Sequence, residues 1–113
     1  MNIENIVVLD TEAGGLDPLT YSILSVGLVS GDGKRTLEVF IAEPEIVTHP
    51  QALAVNRIDP AMVARDGLSP KAAVDAIEAF LDGMGVPRPV MCVGHNIACD
   101  TGYLRRLYRL AGR

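Results

Sequence analysis

Residues 4–10, ENIVVLD, run apolar and β-branched straight into Asp10, and Glu12 follows two positions later, before the chain breaks at Gly14-Gly15 and Asp17-Pro18. A short apolar run closed by a glycine-rich turn has the pattern of a buried strand. Such a strand cannot stand alone, so the remaining sequence must provide its neighbours and its cover.

Residues 21–30 (YSILSVGLVS) and 34–41 (KRTLEVFI) read as two further strands, and Asp32-Gly33 between them is a hairpin signal because glycine accepts a positive φ. The same GDGKRT stretch lacks the spacing of a phosphate loop and opens no helix. Residues 44–68 read as a connecting region of short helical turns, broken by Pro44, Pro50, Pro60 and Gly67. Ser69-Pro70 then supplies an N-cap and a first-turn proline. Ala73, Ile77, Phe80, Leu81 and Met84 form the stripe of a core-facing helix that Gly83 and Gly85 stop. Residues 90–94 (VMCVG) make a fourth strand, and a last helix runs from about Ile97 to Arg113. The order strand, hairpin, helix, strand, helix predicts an α/β layered domain with the last strand beside the first.

Composition narrows the function classes. With 113 residues the chain is expected to form one domain, residues 1–113, and 49% hydrophobic and 21% charged residues suit an ordinary globular protein. No apolar run approaches the ~20 residues that span a bilayer, so no membrane partner is expected. The start, MNIENIVV, shows no basic lead or cleavable apolar segment, and the cytoplasm is the expected location. A net charge of -4 and a pI near 5.0 argue against binding through a broad basic surface. Nucleic acid stays open, because an acidic cluster can recruit cations that neutralise phosphates locally. Cys92, His95 and Cys99 fall short of the four ligands of a closed zinc site, so both cysteines read as small buried hydrophobes.

Side chains alternate along a strand, so Asp10 and Glu12 share a face and Thr11 takes the other. They sit at the end of the strand, where α/β sheets place their chemistry. Two like charges so close call for something positive between them, and Mg2+ or Mn2+ suits carboxylate oxygens. In the last helix Tyr103, Leu104, Leu107, Tyr108 and Ala111 form the apolar stripe, and stepping back three and four residues reaches Asp100. Gly102, Arg105, Arg106, Arg109 and Arg113 are assigned to the opposite, solvated side. Asp100 is therefore expected to face inward, near Asp10 and Glu12, and a carboxylate buried there needs a partner.

VVLDTEAGGLDP resembles the first motif of the DEDD superfamily of 3′→5′ exonucleases, which includes the proofreading epsilon subunit of bacterial DNA polymerase III and ribonuclease T. VGHNIACDTGYL resembles the second, with the motif's Gly-His-Asn and Asp on Gly94, His95, Asn96 and Asp100. Residues 52–81 resemble the family's connecting region. The resemblance implies a ribonuclease H-like mixed sheet with flanking helices, and hydrolysis of DNA or RNA from the 3′ end by two metal ions about 4 Å apart. It implies that Asp10 bridges both ions, that Glu12 helps hold the one that activates water, and that Asp100 supports the second. Thr11, Ala13, Gly14, Leu16 and Asn96 are the implied substrate contacts, with the glycine turn letting the terminal nucleotide approach the backbone.

A third motif, with a base and a fourth carboxylate, is expected after the last helix and is not recognisable before Arg113. His95 belongs to the second motif, and His49 lies in a proline-flanked loop; both are read as structural. Two readings follow: a metal-dependent exonuclease acting on a free 3′ end, or an inactive exonuclease-like module that binds a partner or nucleic acid, or forms a homo-oligomer that completes the site. A missing strand and helix would leave one sheet edge uncovered.

Overall fold

The architecture follows from where the first strand finds its partners. A computed structural model describes residues 3–113. After a 3-10 turn at Ile3–Asn5, strand β1 (Ile6–Ala13) lies at the centre of a four-stranded sheet. Strand β2 (Ile23–Ser30) runs antiparallel on one side, β3 (Thr36–Phe40) extends the hairpin outward, and β4 (Met91–Val93) runs parallel to β1 on the other side. The order is β3-β2-β1-β4, so the last strand does lie beside the first. At the hairpin, Gly33 takes φ 75°, while Asp32 accepts from Ser30 Oγ at 2.7 Å and from Lys34 N–H at 2.9 Å.

One boundary moved. β1 extends three residues past Asp10, because its pairing with β2 continues from Val7 opposite Ser30 to Ala13 opposite Ile23, across an irregularity at Glu12/Ala13. The carboxylates therefore sit within the strand.

The connecting region also resolves differently. Pro50 and Pro60 open two short helices, α1 (Pro50–Asn56) and α2 (Pro60–Asp66). A proline at the first helical position loses only an N–H that would be unpaired anyway, and its fixed φ suits the helix. His49 caps α1, its Nδ1 accepting from Gln51 N–H at 3.1 Å, and Asp59 caps α2 through Ala61 N–H at 2.9 Å. Gly67 ends α2 as expected.

Helix α3 (Pro70–Gly83), capped by Ser69 Oγ on Ala72 N–H, and helix α4 (Ile97–Leu110) pack against each other and against one face of the sheet. Val7 and Leu9 of β1 join Ile23, Val26, Leu28, Val39 and Ile41 beneath Ala73, Val74, Ile77 and Phe80 of α3 and Tyr103 and Leu107 of α4. At roughly 1.5–3 kcal/mol for each large side chain fully buried, this layer is the main force holding the fold. Among the described residues no helix is long and apolar enough to cross a membrane.

Candidate active site

The site begins where β4 stops. β4 pairs with Ile6, Val7 and Val8 only. After Val93 the chain turns at Gly94, where a Cβ would come within 2.5 Å of the Leu9 carbonyl oxygen, so only glycine lets the crossing segment lie this close. Asn96, in the left-handed conformation at φ 55° and ψ 50°, then leads into α4. From Asp10 onward the β4 side of β1 faces the first turn of a helix. The Thr11 N–H on that edge donates to Asp100 Oδ1 at 2.9 Å, and Thr11 Oγ1 donates to the same oxygen at 2.6 Å. Asp100 is 6% exposed, so the expected partner for its buried charge is this pair of donors on the residue between the two carboxylates. Among the described residues Asp100 Oδ2 takes none of the hydrogen bonds, which leaves it available to a ligand.

Asp10 is exposed and Glu12 half-buried. The Glu12 carboxyl is held above its ordinary range, first by burial and then by the charges of Asp10 and Asp100. All three carboxylates line one groove of about 640 Å³, together with Thr11, Ala13, Leu16, Asn96, His49 and His95. Its walls are the segment after β1 (Gly15, Leu16, Asp17), α1 (Gln51, Ala52, Val55, Asn56) and the start of α4. Two apolar side chains project there almost fully solvated, Leu16 at 87% and Val55 at 84% exposure. Tyr21 meets the His49 ring edge-on at 6.2 Å. Asn56 Nδ2 donates to the Ala13 carbonyl at 2.9 Å, tying the end of α1 to the end of β1.

Gly14 lies outside the groove. It is buried against the segment before α1, where a Cβ would stand 2.5 Å from the Val47 carbonyl oxygen, and it exchanges backbone bonds with Ser22 and His49. At Gly15 the same added atom would run into the Tyr21 ring. The glycine turn thus makes room for the protein's own chain, with Gly15 on the groove lining and Gly14 behind it.

Helix α4 grips the groove wall at three levels: Asp100 on Thr11, Tyr103 OH on the Gly15 carbonyl at 2.5 Å, and Arg106 Nη1 on the Pro18 carbonyl at 3.0 Å. Burial, with Cys99 nearby, pushes the Tyr103 hydroxyl up to about 12. Arg106 corrects the solvated basic side expected of this helix. Its side chain is 16% exposed and forks onto Glu43, 1% exposed, with Nε–Oε2 and Nη2–Oε1 both 2.9 Å. Glu43 Oε2 also accepts from Ile23 N–H at 3.0 Å. Neither Glu43 nor the inward role of Arg106 was read from the sequence. The usable signal was a glutamate directly after a strand's last apolar residues, which needs a cation if it is buried. Cys92 and Cys99 are unpaired thiols, half-buried where full burial was expected, and burial holds both above their usual pKa, with the Asp100 charge adding to it at Cys99.

The donor set tests the implied metals. Three carboxylates, with His49, His95 and Cys99 elsewhere on the lining, are a donor set whose oxygens suit hard divalent cations, and a cation would relieve the repulsion that Asp10 and Asp100 exert on Glu12. As placed, the three surround the groove without closing on one point: among the described residues no three Asp, Glu, His or Cys groups stand close enough together to hold a metal ion.

With this geometry in place, the comparisons define the fold. No family model matches the chain, and no curated protein matches it in sequence. In three dimensions it superposes on exonuclease I. The enzyme from Methylocaldum szegediense, moderately thermophilic, gives a TM-score of 0.74 at 23% identity over 93% of this chain and 23% of that one. E. coli exonuclease I in complex with a dA16 oligonucleotide gives 0.75 at 17% identity over 92% and 23%. A product-bound exonuclease I gives 0.75 at 16% over 92% and 25%. The chain thus spans about a quarter of the length of these neighbours, and it has a ribonuclease H-like fold in common with the part it matches.

Proposed function

We propose that this chain forms a metal-dependent 3′→5′ exonuclease site, of the type found in the epsilon subunit and ribonuclease T, that hydrolyses phosphodiester bonds of DNA or RNA at a free 3′ end. The observation that carries this reading is the gathering of Asp10, Glu12 and Asp100 around one groove, at the open edge of β1, in a fold shared with exonuclease I. Asp10, Glu12 and Asp100 would hold two Mg2+ or Mn2+ ions, which supply Lewis acidity and a water activated near neutral pH. The chain's own groups do the rest. Asp100 is oriented by Thr11, while Leu16, Val55 and Asn96 offer apolar and polar surface for the last nucleotides. A soluble, cytoplasmic protein suits this reading.

The test is release of labelled nucleotide from 3′-labelled single-stranded DNA and RNA with Mg2+ or Mn2+. Asp10→Ala is expected to lower the rate about a thousandfold, the scale of several kcal/mol of lost charge stabilisation. Release equal to that of the variant would overturn the reading. A second reading, an inactive module that binds nucleic acid or self-associates, is favoured by the short outer strand β4, where Val8 and Met91 remain 40% and 48% exposed. Light scattering separates the two: an active monomer excludes it.

A further inference from the structure

We propose that Arg106, anchored on Glu43, is a positioning residue that fixes the groove wall after β1 for an incoming nucleic-acid strand; this rests on the exonuclease function proposed above. Leu16 reaches the groove at 87% exposure, and its own contact with α4 is a weak one, its carbonyl accepting from the Cys99 thiol at 4.0 Å. The wall is held through its backbone on either side, at the Gly15 carbonyl by Tyr103 and at the Pro18 carbonyl by Arg106. Arg106 can hold Pro18 in a defined place because its other two donors are locked on Glu43, which also receives the first N–H of β2. One buried carboxylate thus registers the two ends of the segment, Pro18 and Ile23, against the helix that carries Asp100.

A lysine in place of Arg106 keeps one positive charge but cannot fork onto Glu43 and reach Pro18 together. The pair therefore sets geometry that charge alone does not, and its loss is expected in substrate binding more than in the chemical step.

The chain contains no tryptophan, so Leu19→Trp, on the wall but outside the groove, gives a single fluorescent reporter. In that background the double variant Glu43→Gln/Arg106→Met removes both buried charges together and keeps an acceptor for Ile23, and circular dichroism checks that it folds. The expected result is lower reporter anisotropy, a KM for a 3′-labelled oligonucleotide raised about tenfold, and kcat within twofold. Arg106→Lys, with Glu43 intact, is expected to raise KM about threefold, and it decides the matter should the double variant not fold. An unchanged KM in a folded variant, or a kcat loss that tracks the unfolded fraction, overturns the positioning role alone. If the reporter parent neither binds nor cleaves the oligonucleotide, the exonuclease reading falls and this inference falls with it.

Discussion

The two halves of β1 share one continuous pairing with β2 and differ in what lies on the other edge. Ile6 to Val8 have a parallel strand there, and their chemistry is ordinary: Val7 is buried in the core, and Val8 is left partly in water. Beyond them helices take the strand's place: the edge N–H of Thr11 goes to Asp100 of α4, and the Ala13 carbonyl accepts from Asn56 of α1. To an edge N–H a strand offers only a carbonyl, whereas a helix can offer a carboxylate and still show its other oxygen to a groove. Ending β4 after three residues turns half of a structural strand into a site.

The largest effect should come from blocking the crossover between the halves. Gly94→Ala places a methyl against the Leu9 carbonyl, so β4 or β1 must shift; a loss of about 3 kcal/mol in urea unfolding is expected. Gly27→Ala, whose Cβ would meet only the Asp10 carbonyl at an ordinary 3.5 Å, is the control and should cost far less. Next comes the second half itself. Asp100→Ala strands two donors of Thr11 and should cost about 2 kcal/mol, whereas Asp100→Asn keeps an acceptor and should cost under about 1 kcal/mol while losing the proposed nuclease activity. Equal losses for the two variants would mean that the Thr11 bonds do not hold the edge.

Legibility in the sequence follows the same division. The first half of β1, its partner β4 and the stripes of α3 and α4 follow from apolar periodicity, and that periodicity also turned Asp100 inward. Alternation along the strand separates Thr11 from Asp10 and Glu12 but is silent on its bonds to Asp100, because the partner of an edge N–H leaves no mark in a sequence. Arg106 was placed with the solvated arginines because its partner, Glu43, is 63 positions away and long-range ion pairs have no period. Pro50 and Pro60 read as breaks in the sequence and start helices in the fold, and nothing in the sequence shows that Gly14 makes room for Val47. Helical and strand spacing reports which way a residue points, not what it meets.

Two smaller effects sharpen the comparison. Tyr103→Phe removes the bond to the Gly15 carbonyl, at about 1 kcal/mol. Because the folded hydroxyl titrates at about 12 against about 10 unfolded, the unfolded state loses its proton first, and stability falls as pH rises from about 10 to about 12. Urea unfolding across that range should show the fall in the parent and lack this part of it in the variant. Glu12→Gln should act in the opposite sense. Its raised carboxyl favours the protonated folded state, so the group's contribution is kept at acid pH and lost as pH rises through the folded value. In chelator at pH 7 the variant should gain about 0.5 kcal/mol after solvent screening, and the gain should vanish at low pH.

The three grips of α4 on the groove wall bear on how the gene can change in length. Asp100, Tyr103 and Arg106 work as a set only while the helix keeps its phase. One codon inserted between the first two turns every later side chain by about 100° and carries Tyr103 and Arg106 off both carbonyls at once. The same insertion at the exposed Gly33 turn touches none of these contacts. Length drift should therefore collect at the hairpin tip and be purged from the first two turns of α4.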